Sequence, residues 1–174
     1  PPPLPTVAQP GAGGTESTYP YRLVPFASTS LMDGGLAHLP WMQATPDPIT
    51  TATWRTWVEI SFKAADELGL REGDHGRVVA ETGSIEALAY PTPASARDVV
   101  SIPIGQGHAA GGRYSEGRGF NVLSILSPLT VGGSNALAWA ATRVRIEKLG
   151  KNEKIPKFEN TAQELAVDEE QRVI

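Results

Sequence analysis

Short alternations of apolar and polar residues, punctuated by proline and glycine, recur along the chain and predict strands. Tyr21-Arg22-Leu23-Val24 is the first, expected to stop at Pro25. Trp54 to Ile60 carries a second, with its alternation in Trp57-Val58-Glu59-Ile60. Ser61 then stands where an N-cap belongs. Phe62, Ala65 and Leu68 follow at helical spacing, and Gly69 can take the left-handed conformation that ends a helix, so a short helix is predicted over 62–68. A tight turn at Leu70 to Gly76 leads into a strand at Arg77–Glu81. The pair Thr82-Gly83 then turns the chain into Ser84–Tyr90, giving a hairpin.

Asp98 to Ile104 is rich in Val and Ile and predicts another strand, in which Pro103 demands an edge or a bulge. A glycine-rich loop spans 105–119, and Asn121 to Leu126 is a short apolar segment. From Ala141 to Glu147, Thr142, Val144 and Ile146 alternate with Arg143, Arg145 and Glu147, the pattern of a strand with one wet face. Several short strands, one or two short helices, long ordered loops and an irregular tail predict a mainly β fold built as a barrel.

Three regions fall outside this pattern. Residues 1–18, rich in Pro, Gly, Ser and Thr, read as an extended linker. Residues 26–53 have little periodicity, but Phe26, Leu31, Met32, Leu36, Leu39, Trp41 and Met42 make them too apolar for a disordered loop. They are expected to be ordered only where something covers them. Residues 149–174 are charged and polar and read as a tail or linker with at most a short helix near Thr161 to Ala166. The resulting organisation is a linker over 1–18, a barrel over 19–148 and a tail over 149–174. The prolines at positions 1–3, the lack of an initiator Met and the apolar close at Val173-Ile174 suggest a piece of a larger polypeptide.

Composition narrows the chemistry. The 174 residues carry a net charge of −4 with no basic cluster, which argues against nucleic acid as a partner. No run of apolar residues is long enough for a membrane span. The chain has no cysteine, so it offers no thiolate nucleophile and no iron–sulfur ligand. Its three histidines, His38, His75 and His108, are far apart and make no zinc motif; no metal ligand and no catalytic residue is assigned. Glu59 and Glu86 are expected on the solvent side of their strands, and Trp41, Trp54 and Trp57 in packing between loop and barrel. Asp47, between two prolines, is expected to serve a turn.

The most specific signal is the unit from Val58 to Val79: strand, N-cap, short helix, Gly-Asp corner, strand. Gly73 permits a turn that a β-carbon would hinder, and Asp74 can accept hydrogen bonds from N–H groups that the corner leaves unpaired. This corner resembles that of double-psi β-barrels. Three further segments line up in order around it. They are Pro40-Trp41-Met42-Gln43-Ala44-Thr45-Pro46-Asp47-Pro48-Ile49-Thr50, then Trp54-Arg55-Thr56-Trp57-Val58-Glu59-Ile60, then Ile104-Gly105-Gln106-Gly107-His108 with Gly112-Arg113-Tyr114 and Gly119-Phe120-Asn121. Over residues 20–148 the chain resembles the C-terminal dinucleotide-binding domain of the molybdopterin oxidoreductase family. The likeness is nearest to its polysulfide-reductase-like branch, which includes the large iron–sulfur subunit of alternative complex III, a quinol-oxidising membrane complex.

The resemblance implies a double-psi barrel closing over one end of a molybdopterin guanine dinucleotide. By position it implies cofactor contacts at Ser28, Thr29 and Ser30, at Gly105, Gln106, Gly107 and His108, at Arg113, and at Asn121. Glycines would let backbone N–H groups approach a pyrophosphate, Arg113 could pair with phosphate, and Asn121 could read a guanine edge. For His108 the plainer alternative is a loop histidine bonded to backbone. The first-strand loop, Phe26-Ala27-Ser28-Thr29-Ser30, lacks the cation that cofactor-binding members often carry there.

The leading expectation is therefore a structural barrel with no pterin bound, part of an iron–sulfur subunit whose clusters lie elsewhere. Its partners would be the remainder of that subunit and other subunits of a membrane-associated, quinol-oxidising respiratory complex on the periplasmic side. The alternatives are a true dinucleotide-binding domain of an active molybdoenzyme acting on polysulfide, thiosulfate or arsenate, and a free-standing protein-recognition barrel.

Overall fold

The computed structural model describes residues 12–132 and 135–158. Six strands close into a barrel: β1 (Tyr21–Ala27), β2 (Trp57–Ser61), β3 (Asp74–Ala80), β4 (Ser84–Thr92), β5 (Val99–Ile104) and β6 (Arg143–Asn152). Around the barrel their order is β1-β5-β2-β4-β3-β6. Two pairs are parallel, β1 with β5 and β2 with β4, and the other neighbours are antiparallel. This is the double-psi barrel anticipated from the Gly-Asp corner.

Inward residues of every strand meet in one core that includes Leu23, Val58, Ile60, Val78, Ala89, Val100, Ile102 and Val144, all fully buried. In β6 the wet face is only partial: Arg143 is buried, while Val144 and Ile146 point to the core as their alternation requires.

Helix α2 (Phe62–Leu68) forms where its caps place it. The Ser61 Oγ accepts from Ala64 N at 3.2 Å, and Gly69 closes the helix at φ 64°, ψ 28°. Its inward face is Ala64 and Ala65 with part of Leu68, whereas Phe62, expected on that face, is 55% exposed. A second helix, α1 (Pro40–Ala44), is one turn long and was not foreseen. Its signal was Pro40, which fits a helix's first position because its missing N–H would have no partner there. The apolar segment after Asn121 is a 3-10 turn, Val122–Ile125, with Val122 and Ile125 buried against the barrel.

Three prolines lie within strands. β1 continues through Pro25, which pairs with Ile102, β5 through Pro103, which pairs with Phe26, and β4 through Pro91, which pairs with Ile60. The missing N–H is tolerated because none of the three has a second strand neighbour; β3 leaves β4 at Leu88. β6 reaches β1 only at Tyr21 and Arg22, and β2 reaches β5 only at Glu59 and Ile60.

The ordered structure also passes the expected boundary of the tail. β6 runs to Asn152, and the segment behind it lies as a strap on the outer face of β2 and β4. Ile155, 1% exposed, forms a second cluster there with Ala52, Trp57 and Leu88. Thr53 N donates to Pro156 O at 2.9 Å, and Ala52 bridges Lys157. Residues 26–53 are covered only in part by the chain itself: Leu31, Ala37, Gln43 and Thr50 are buried, while Met32, Trp41 and Ile49 are exposed. At the other end, Gly13 bridges Thr142, and Glu16 pairs with Arg143 at 3.0 Å. The helix expected near Thr161 to Ala166 and the linker residues 1–11 lie outside the described residues.

The Gly-Asp corner ties these parts together. Gly73, at φ 80°, donates to Ala89 O and accepts from Glu153 N, both at 2.9 Å. A β-carbon on Gly73 would come within 2.3 Å of Glu153 O. Asp74 accepts from Arg71 N at 2.9 Å and from Asn152 Nδ2 at 2.9 Å, and pairs with Lys148 at 2.8 Å. The hydrogen bonds from Lys148, Asn152 and the Arg71 backbone hold its carboxyl down at about 2.

Replacing Gly73 by Ala is expected to lower unfolding free energy by about 2–4 kcal/mol, through strain and the clash with the strap; urea unfolding checks it. Asp74 stabilises the fold fully above the unfolded-state carboxyl range near 4, and this contribution is lost as pH falls through about 2. The stability gap between wild type and Asp74→Asn should therefore be about 2 kcal/mol at neutral pH and shrink towards zero across that acid interval. Unfolding measured from pH 6 down to pH 2 tests the sign.

Candidate functional site

β1 and β5 run parallel, so their C-terminal ends leave the barrel side by side: Ala27 pairs with Ile104, the last residue of each strand. β2 is antiparallel to β5, which brings the segment before it to the same place. The loop after β1, the glycine-rich loop after β5 and residues 45–57 therefore converge on one narrow cleft. Its lining includes Ser28, Ser30, Leu31, Gln43, Thr45, Asp47, Thr53, Trp54, Arg55, Trp57 and Gln106.

Of the nine residues implied by resemblance, Ser28, Ser30 and Gln106 line this cleft. Ser28 Oγ accepts from Leu31 N at 3.2 Å and lies 3.3 Å from Ser30 Oγ, fixing the tight turn after β1. Thr29 is exposed. Gly105, at φ 115°, allows Leu31 to pack where a β-carbon would lie 2.9 Å from Leu31 Cβ. Gly107, at φ 87°, lets the glycine-rich loop press against Asn121, whose N would be 2.1 Å from an added β-carbon. The structure therefore brings Gly107 and Asn121 together. Asn121 uses its side-chain oxygen on Leu123 N at 3.0 Å, as the cap of the 3-10 turn.

Gln106 and Gln43 form the centre of the cleft. Both are buried, and each side-chain amide donates to the other's oxygen, at 2.7 Å and 3.3 Å, while Gln43 Nε2 also donates to Ala37 O at 2.9 Å. The glycine-rich loop then folds on itself. Gly107 N donates to Arg118 O at 2.8 Å and Gly117 N to His108 O at 3.2 Å. His108 Nε2 lies 3.1 Å from Gly105 O, as a loop histidine bonded to backbone would. Arg113 is exposed at the far end of the loop, stacked 4.6 Å over the Tyr114 ring and bonded to its hydroxyl. It is not among the residues lining the cleft.

Several groups at this end of the barrel were missed as site residues. Gln43 belongs to the quoted Trp41-Met42-Gln43 stretch, and a buried amide on a one-turn helix needs a polar partner, which was its readable signal. Arg55 lines the cleft and pairs with Glu153 of the strap. Trp54, at φ 61°, lies 4.7 Å beneath the Arg118 guanidinium. Asp47 holds its turn by accepting from Thr50 N at 2.8 Å and Thr50 Oγ1 at 3.0 Å. Glu59, expected on the solvent side, is half-buried. Burial pushes its carboxyl up despite the hydrogen bond from Trp57 Nε1, and Asp47 adds to the rise. Trp57 packs in the second cluster, but Trp41, expected to pack, is 62% exposed.

The cleft carries little positive charge for the phosphates of a dinucleotide. Among the described residues lining the cleft Arg55 is the one cation, and Glu153 already neutralises it. The Gln106 amide, the Gly107 N–H, the His108 Nε2 and the Asn121 side-chain oxygen are all engaged within the chain. Also among the described residues, no group of His, Asp and Glu is placed to hold a metal ion, and no helix is long and apolar enough to cross a membrane.

Comparison with known proteins agrees with this architecture. Acetylene hydratase from Pelobacter acetylenicus superposes with a TM-score of 0.61 at 15% identity, over 79% of this chain and 20% of that one, a likeness of fold. The menaquinone reductase, molybdopterin-binding-like subunit of Nitratidesulfovibrio vulgaris is 29% identical over 109 residues, 58% of this chain and 16% of that protein. The chain thus spans under a quarter of either protein's length. The molydopterin dinucleotide binding domain matches residues 41–137, which take in β2 to β5, residues 45–57 of the cleft and the whole glycine-rich loop but not the loop after β1, and the chain belongs to that family.

Proposed function

We propose that this chain is the C-terminal barrel of a larger molybdopterin-oxidoreductase-like iron–sulfur subunit, and that it serves there as a packing and interface element with no pterin bound. The parent complex would be membrane-associated and quinol-oxidising, of the alternative complex III kind, with this domain on the periplasmic side. The observation that carries the reading is the reciprocal Gln43–Gln106 pair, in which two buried amides lining the cleft satisfy each other rather than face a ligand. The exposed Arg113, turned onto Tyr114, adds to it. That the menaquinone reductase subunit is called molybdopterin-binding-like is in keeping with this reading.

A second reading, a working dinucleotide-binding domain of an active molybdoenzyme, is favoured by one feature. Gly105 and Gly107 hold positive φ at 115° and 87°, a backbone that phosphate could approach closely. Molybdenum by mass spectrometry and pterin by fluorescence after oxidation, both measured on the intact parent subunit, separate the two. The expected result is neither at stoichiometric level; stoichiometric pterin with molybdenum overturns the structural reading.

The amide pair also has a stability consequence. Gln43→Ala leaves the Gln106 amide and the Ala37 carbonyl without their partner, Gln106→Ala leaves the Gln43 oxygen without its donor, and each should cost about 1–3 kcal/mol. The double substitution should cost clearly less than the sum, because only the Ala37 carbonyl is then left without its donor. A double-mutant cycle by chemical unfolding checks this, and strict additivity would show that the two amides do not depend on each other.

A further inference from the structure

On the other side of the glycine-rich loop lies an open pocket of about 360 Å³, separate from the cleft lined by Gln43 and Gln106 except for Arg55, which touches both. One wall is the β3–β4 face, with His75, Glu86 and Leu88. The facing wall is Gly117, Gly119 and Phe120, and Glu153 of the strap stands at one edge. We propose that this pocket binds a guanidinium or alkylammonium group carried on a short apolar stem.

The charges select a cation. Arg55 pairs with Glu153 Oε1, so those two cancel. The other Glu153 oxygen lies 3.5 Å from His75 Nε2. Glu86 approaches His75 Nδ1 only at 4.0 Å, beyond hydrogen-bond reach, and its side chain is 37% exposed towards the pocket. The pocket therefore presents a carboxylate with unused acceptor capacity beside an imidazole. A metal is not suggested, since no His, Asp and Glu group among the described residues is placed to hold one.

The apolar walls select the stem. Phe120 is 43% exposed and offers its ring to the space, and Leu88 forms part of the opposite wall. A planar cation between a carboxylate and an aromatic face gains both charge-assisted hydrogen bonds and cation–π attraction. The wall is also built to stay open. Phe120 N donates to Thr56 Oγ1 at 2.9 Å, and Gly119, at φ 57°, packs where a β-carbon would lie 2.3 Å from that oxygen. Gly117, at φ 65°, faces open space.

The test is a titration of the full chain followed by amide NMR, with ligand-induced thermal stabilisation as an independent readout. Butylguanidinium represents a free small molecule, and a capped Gly-Arg-Gly peptide represents an arginine presented by another polypeptide. Saturable shifts centred on His75, Glu86 and Phe120 are expected. Glu86→Gln should weaken binding roughly fivefold or more, as should Phe120→Leu, which keeps the apolar wall but removes the ring. Glu81→Gln, an exposed carboxylate at the hairpin turn, should change nothing. Tighter binding of the peptide assigns the pocket to a polypeptide side chain, and tighter binding of butylguanidinium to a small molecule. Shifts that fail to saturate, or binding that neither Glu86→Gln nor Phe120→Leu weakens, overturn the proposal.

Discussion

Parallel pairing of β1 with β5 places two loops from distant parts of the chain at one end of the barrel, and every feature of the candidate site follows from that placement. Parallel strands need a long crossover, and here the crossover contains α1, β2, α2 and the β3–β4 hairpin. The same residues that connect β1 to β5 therefore also build the walls of the cleft between their ends. Gln43 comes from this crossover and Gln106 from the far side of β5, so the amide pair at the cleft's centre records the pairing directly.

A second constraint acts on the outside of the barrel. Trp57 and Leu88 point away from the main core, and a barrel wall with apolar residues on both faces must be covered twice. The strap after β6 supplies that cover with Ile155. Its charged ends are tied at Asp74 through Asn152, at Arg55 through Glu153 and at Glu72 through Lys157. The Gly-Asp corner is the point where strap, β3 and α2 are joined, which gives a physical reason for glycine and aspartate at those two positions.

How far the sequence revealed this depends on whether local chemistry decided the outcome. α2 was legible to the residue because Ser61 and Gly69 act as caps whatever the tertiary setting. The hairpin was legible because Thr82-Gly83 turns the chain between two alternating runs. The course of β1 past Pro25 was not, since it depends on β6 having only a short contact with β1. The strap was hidden because one buried isoleucine among lysines and glutamates leaves no periodic trace. At the site, the glycines of 105–119 marked the loop after β5, but not the segments that meet it. What their polar groups do was not, because only the fold reveals that Gln106 meets Gln43 and that Arg113 turns to Tyr114.

The position of β6 has a consequence for how the molecule is made. It pairs with both β1 and β3, the two strands that would otherwise be left with open edges, and it is the last strand among the described residues. During synthesis those edges stay unsatisfied until nearly all of the described residues have left the ribosome, and Trp57 and Leu88 stay uncovered for longer still. Folding is therefore a long-range event that waits for β6, and the newborn chain is most open to wrong pairing and to chaperone capture before that strand emerges.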